Sequence, residues 1–265
     1  MRFKSLKDLE RDAPREIVLA TLPQVVRLTD FAKAKAFAVS RLVRRVHGQA
    51  FEWYGFTLAQ RSRPEIIVDV GLPTHAENQE TYVSLSAEGI AAYQEALPPD
   101  RLINGWIHSH GKLEFRDFSG IDAANQATVL DYVTSLLKIP VAKKEVVIRD
   151  LALGLLGEGE AEALAAGSVT LLTDAPVRRA RLLETVYGGF CYAFVIGDAG
   201  WTRQEIHYKT RGVLTGETHL SKREADLEII PTGRILTPSD LETLETEVKE
   251  RLRPVAYIPE KLERG

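Results

Sequence analysis

The chain of 265 residues is 45% hydrophobic and 27% charged, the profile of a soluble globular protein long enough for a real core. A net charge of −3 carries no basic excess of the kind that marks a general nucleic-acid binder. No apolar run approaches the roughly 20 residues that span a bilayer, the charged N-terminus is unlike a signal peptide, and the single cysteine, Cys191, allows no internal disulfide, so a cytoplasmic protein is expected.

Residues 1–27 read as an extension with one apolar stretch, Ile17 to Val26, broken by Pro23. A helix follows, with Thr29 or Asp30 as N-cap, Ala34, Ala38, Leu42 and Val46 along one stripe, and Gly48 as its stop. Its Arg41, Arg44 and Arg45 read as a solvated face. FEWYGFTLAQ and EIIVDVGLP predict two strands joined by a turn over Arg61 to Pro64, and TYVSLS another short strand. SAEGIAAYQEAL predicts a helix that starts at Ser86 and is ended by Pro98 and Pro99. RLINGWIHSH predicts a strand, and SGIDAANQATVLDYVTSLLK a helix running to Pro140. Strand-like runs follow at KEVVIRDLALGLL, SVTLLTD and YGGFCYAFVIGD, with GEGEAEALAAG as a connector between the first two. WTRQEIHYKT pairs with the last of them through the turn Asp198-Ala199-Gly200. A final amphipathic helix is predicted over 238–253, with Leu241, Leu244, Val248 and Leu252 on one side. Helices interleaved with short strands predict an α/β layer structure.

The chemistry concentrates in IHSHGKLEFRDFSGID, residues 107–122. Residues two apart on a strand share a face, so His108 and His110 project side by side. Asp122 falls in the first turn of the next helix, which an eight-residue loop can bring back over the strand end. Two nitrogens and one oxygen are a zinc ligand set, and three protein ligands leave a fourth position for water, the mark of a catalytic rather than a structural site. Each piece also has a plain structural reading. His-x-His on a strand is often one core and one surface histidine. Ser119 with Asp122 three residues on matches a helix N-cap and its capping partner.

The order and spacing of His-Ser-His, a short loop and Ser-x-x-Asp resemble the signature of the JAMM (MPN-plus) metalloproteases, the zinc isopeptidases that remove ubiquitin and ubiquitin-like modifiers. Glu52 in FEWYGF stands where that family has a glutamate on an earlier strand. The segments Trp-Ile-His-Ser-His and Phe-Ser-Gly-x-Asp also resemble prokaryotic members, and the resemblance covers roughly residues 28–210. The chain departs from the pattern in two respects: Gly111 to Phe118 makes an eight-residue loop where seven is usual, and Gly111 stands where proline is common.

The resemblance implies a JAMM/MPN (cytidine-deaminase-like) fold, a mixed sheet flanked by helices. It places a catalytic domain at 28–212 between an N-terminal extension, 1–27, and a C-terminal extension with a helix, 213–265. It implies His108, His110 and Asp122 as zinc ligands with a water as the fourth. Glu52 would take the proton of that water and pass it to the leaving amine, and Ser119 would help to hold the oxyanion. The implied activity is hydrolysis of the amide or isopeptide bond at the C-terminus of a ubiquitin-like, β-grasp modifier, bound as an extended strand. The rivals are a non-catalytic MPN scaffold and a zinc peptidase of small peptides. Nucleoside deamination is set aside because its Cys-x-x-Cys ligand pair is absent.

Glu114 and Asp117 are the rival bases. Trp106 shares the parity of the two histidines and is expected beneath the site, while Trp53 and Tyr54 are expected in the core. His47, His75, His207 and His219 have no ligand spacing, and Cys191 reads as an inert buried thiol. The region from Gly212 onward shows no chemistry, and its helix or the N-terminal extension is the expected homodimer contact.

Overall fold

The computed structural model describes residues 15–74, 86–111, 115–147, 153–155, 171–173 and 181–252. The expected strand TYVSLS, apart from its last serine, and the expected connector GEGEAEALAAG lie outside the described residues. Among those described, helices flank a mixed sheet, and the chain divides into two compact units. The larger comprises 23–137, 189–209 and 220 onward; the smaller comprises the chain up to 22, 138–188 and 210–219.

In the larger unit, strand β2 (Val26–Thr29) leads into helix α1 (Asp30–His47). The Thr29 side chain accepts from Ala32 N, and Gly48 ends the helix at φ 71°, a left-handed conformation that glycine adopts without a Cβ penalty. Strand β3 (Trp53–Gln60) follows, then β4 (Ile66–Ile67) and β5 (Asp69–Gly71). The single strand expected over EIIVDVGLP is therefore two. Ile66 and Ile67 join β2 in a parallel sheet, whereas Asp69 to Gly71 pair antiparallel with β3, and the Val68 N–H, bonded to Leu58 O, bridges the change of partner.

Helix α2 (Ala87–Ala96) starts at its Ser86 cap, and strand β6 (Arg101–Ser109) carries the chain into the sheet. β6 pairs antiparallel with β3, Tyr54 opposite His108, and parallel with the later part of β10 (Arg181–Ile196), His108 opposite Val195. Side chains alternate between faces along β6. Ile107 turns to the α1 side, where it lines a small cavity together with Ala32, Ala36 and Phe194. Trp106 turns to the opposite side, into a cluster with Tyr54, Cys191, Ala193 and, from helix α3 (Gly120–Leu136), Val129, Leu130 and Val133. Burying such side chains contributes roughly 1.5–3 kcal/mol each. The expected core positions Trp53 and Cys191 are 1% and 0% exposed, and burial pushes the Cys191 thiol up to about 12, which keeps it protonated and unreactive.

Helix α3 ends four residues short of the expected Pro140. Leu137 leaves the helical region, and Ile139–Val147 form strand β7, in which Pro140 lies opposite Tyr187 of β10. A proline disfavours helical conformation at the residue before it, so Ile139 is already strand and the helix ends ahead of it.

β11 (Thr202–Gly212) pairs with β10 and with β12 (Thr218–Glu224), and β13 (Leu227–Ile230) adds parallel to β2. The last helix, α4 (Pro238–Arg251), starts with a Thr237–Asp240 capping box. Leu244, Val248 and Leu252 of its apolar stripe are buried within the chain's own core, and Arg45 of α1 pairs with its Glu245. Arg44 pairs with Asp198, so two of the three arginines on the solvated face of α1 are neutralised internally.

In the smaller unit β1 (Glu16–Val18) pairs antiparallel with β7, and β7 antiparallel with the first half of β10. β8 (Leu153–Leu155) and β9 (Leu171–Thr173) form a separate parallel pair. Glu184, 2% exposed, accepts from Leu214 N and Thr215 N at 3.1 Å each and so ties the turn after β11 to β10. No described helix is long and apolar enough to cross a membrane.

Gly105 marks the tightest point of β6. A Cβ there would run into the Tyr192 carbonyl oxygen and lie 2.7 Å from Thr57 Oγ1. Gly105→Ala is therefore expected to lower stability by about 1–3 kcal/mol, read as a fall in the urea midpoint. A midpoint equal to wild type would mean that the three strands are not packed as described.

Candidate metal centre

β6 is held on both edges by its neighbours, so its last turn of pleat is rigid, and His108 and His110 leave it on one face. The His110 N–H continues the pairing by donating to Ile196 O at 3.0 Å. Gly111 then turns the chain at φ 55°, which proline, fixed near −65°, cannot adopt. This is the physical reason for glycine where the resembling family often has proline.

From the other side, α3 brings Asp122 in through its own N-terminus. Ser119 is the N-cap: its Oγ accepts from Asp122 N at 3.2 Å, and Asp122 Oδ2 accepts from Ser119 N at 2.6 Å. The plain reading of the pair as a capping box is thus realised. It does not compete with a ligand role, because Asp122 Oδ1 still lies 3.4 Å from His108 Nε2 and Oδ2 3.9 Å from His110 Nε2. The two Nε2 atoms are 3.0 Å apart.

These three residues form a group that could hold a metal ion. Ligands about 2.1 Å from a tetrahedral ion stand roughly 3.4 Å from one another. The 3.0 Å between the two nitrogens and the 3.4 Å from His108 Nε2 to Asp122 Oδ1 lie near that distance, and one ligand atom from each of the three residues lies within 4.8 Å of the others. Both histidines are 5% exposed and the Asp122 side chain 13%, so the donors converge where bulk water does not compete.

The tautomers follow from the neighbours. His110 Nδ1 is 2.8 Å from the Phe115 carbonyl, which can only accept, so Nδ1 carries the proton and Nε2 keeps its lone pair. His108 Nε2 faces that lone pair and a carboxylate oxygen. Burial pushes the Asp122 carboxyl up, but the hydrogen bond and charge of His108 and the two bonds from Ser119 outweigh it and hold it down at about 2. Aromatic rings close the site: Trp106 stacks on His108 at 4.6 Å, as its parity predicts, Phe115 stacks on His110 at 5.5 Å, and Trp201 meets His110 edge-on at 6.2 Å.

Glu52 stands immediately before β3. Trp53 pairs with Ser109 and Tyr54 with His108, so the register carried one residue on sets Glu52 opposite His110, on the face of the two histidines. It is exposed and, among the described residues, has no hydrogen-bond or ion-pair partner. Of its rivals, Glu114 lies outside the described residues, and Asp117 is turned to its own backbone, accepting from Phe118 N, with Arg203 at 3.9 Å. His207 and His219 lie against Glu205 and Glu217 and are not members of the metal-ligand group, and His75 lies outside the described residues.

The Phe115 carbonyl and the rings of Phe115 and Trp201 were not expected from the sequence. A backbone carbonyl carries no signal in residue types, and Trp201 is remote in sequence from the histidines. No model of a known protein family matches the chain, and no curated protein matches it.

Asp122 supplies a test in the metal-free protein. Its folded-state pKa lies below the ordinary value of 3.8, so its contribution is present above about pH 4 and lost as pH falls toward 2. Asp122→Asn is expected to flatten that part of the stability profile, removing roughly 2 kcal/mol of pH dependence, as measured by denaturant unfolding at stepped pH. A variant with the wild-type acid slope would show that the carboxylate does not engage His108 and Ser119 as described.

Proposed function

We propose that the chain is a zinc-dependent isopeptidase of the JAMM/MPN-plus kind, cleaving the amide or isopeptide bond at the C-terminus of a ubiquitin-like, β-grasp modifier. The observation that carries this reading is the convergence of His108, His110 and Asp122 on one point, with Glu52, unpaired among the described residues, on the same face. A mixed sheet flanked by helices is compatible with the JAMM/MPN arrangement. A scaffold without chemistry has no use for three buried acceptors aimed at one another.

Zinc suits two imidazoles and a carboxylate, and no fourth His, Cys, Asp or Glu joins the group among the described residues. When bound, such an ion supplies Lewis acidity to a carbonyl and makes water acidic near neutral pH. The chain's own residues do the rest. Glu52, exposed and unpaired among the described residues, takes a proton from the attacking water and returns it to the leaving amine, work worth typically 10²–10⁴-fold in rate. The Ser119 hydroxyl accepts from Asp122 N and also bonds the Asp122 carboxylate; turned from that carboxylate to the scissile carbonyl oxygen, its proton would contribute about 10²–10³-fold as in comparable sites. Phe115, 52% exposed and stacked on His110, offers an apolar wall beside the ligands. An extended tail ending in small residues such as Gly-Gly would lie against that wall with its last peptide bond at the ligands.

Glu52→Gln separates the proton-transfer role from metal binding. The variant is expected to retain metal while its turnover of a β-grasp protein joined through Gly-Gly to a lysine side chain falls by about 10²-fold or more. A rate near wild type would remove Glu52 from the mechanism.

A further inference from the structure

Three buried side-chain atoms near the ligands have no hydrogen-bond partner among the described residues: Trp106 Nε1, His108 Nδ1 and Gln126 Oε1. Trp106 and Gln126 are 1% exposed and His108 5%. All three belong to the same side of the sheet. Trp106 stacks on His108 and shares a cluster with Cys191. Gln126 reaches into that cluster, its Nε2 lying 3.4 Å from Cys191 Sγ, and it stands one helical turn after Asp122 on the same face of α3. Native proteins seldom leave buried polar atoms unpaired, and a group of three calls for an explanation.

Counting donors and lone pairs supplies one. Trp106 Nε1–H can only donate, and Gln126 Oε1 offers two lone pairs. If His108 carries its proton on Nε2, its Nδ1 becomes a further acceptor, and one indole proton faces too many lone pairs. If Nε2 instead keeps its lone pair for a cation, Nδ1–H becomes a donor. Two donors then meet two lone pairs, and the set closes.

We propose that Gln126 is a positioning residue for the metal centre: its Oε1 accepts from His108 Nδ1–H and Trp106 Nε1–H, directly or through a shared water, and so holds His108 in the tautomer whose Nε2 lone pair faces His110 and Asp122. The inference rests on the metal reading of that cluster. Gln126 does for His108 what the Phe115 carbonyl does for His110, so each ligand histidine has its own acceptor behind it. The contact with Cys191 has a use in this arrangement, since donation from Nε2 to the sulfur fixes which end of the amide faces the histidine.

The test uses the full chain, stripped of metal and titrated with zinc against a competing chelator, as wild type, Gln126→Met and Gln126→Glu. Gln126→Met keeps length and burial but removes the acceptor. It is expected to weaken zinc binding by about 10–100-fold, a larger loss than any change in the metal-free unfolding midpoint accounts for. Gln126→Glu, a stronger acceptor, is expected to restore affinity. In parallel, the ¹⁵N imidazole shifts of His108 in zinc-loaded wild type should show a protonated Nδ1. Wild-type zinc affinity in Gln126→Met overturns the proposal, as does an affinity loss that only tracks lost metal-free stability. An unprotonated His108 Nδ1 overturns it with no variant needed. Failure of the wild type itself to take up zinc overturns the metal reading and this inference with it, an outcome told apart by the wild-type titration alone.

Discussion

Two imidazole nitrogens 3.0 Å apart, with a carboxylate oxygen 3.4 Å from one of them, cannot all present lone pairs to one another without a positive centre among them. A proton on His108 Nε2 is one answer and a metal ion is the other. The Phe115 carbonyl already commits His110 to the ligand tautomer, so the cluster is half prepared for a metal by its backbone alone. The arrangement of β3, β6, β10 and α3 on this side of the sheet brings those atoms to one point, and the site has the accuracy of the paired strands that carry it.

Asp122 links the site to the fold most directly. One residue caps α3, sits in the positive field of the helix N-terminus, and faces both histidines. Its capping bonds set the orientation of the carboxylate, so helix start and ligand position are a single structural fact. For the same reason the structural and the catalytic readings of Ser119 and Asp122 do not exclude each other. A capping box occupies one oxygen lone pair of serine and a share of the carboxylate, and leaves Oδ1 facing His108.

Local chemistry made much of this legible in the sequence. Thr29, Ser86 and Ser119 cap their helices as their side chains predict, Gly48 stops α1, and the period of two along Trp106, His108 and His110 sets their common face. What was not legible depended on partners distant in the chain. EIIVDVGLP has the composition of one strand, but its halves pair with β2 and β3, in different sheets. The end of α3 was hidden because no glycine or proline stands between Leu136 and Ile139, while the chain leaves the helix there to pair with β10. The acceptor behind His110 is a carbonyl of Phe115, and the unsatisfied amide of Gln126 becomes visible only once α3 is packed over Cys191.

A metal ion held by His108, His110 and Asp122 is detected by elemental mass spectrometry of the purified protein, run beside His110→Ala under identical handling. About one divalent ion, zinc, per chain is expected in the wild type, and its loss in the variant. Little metal in both, even after incubation with zinc, would contradict it and leave the strand end and the capped helix as structure alone.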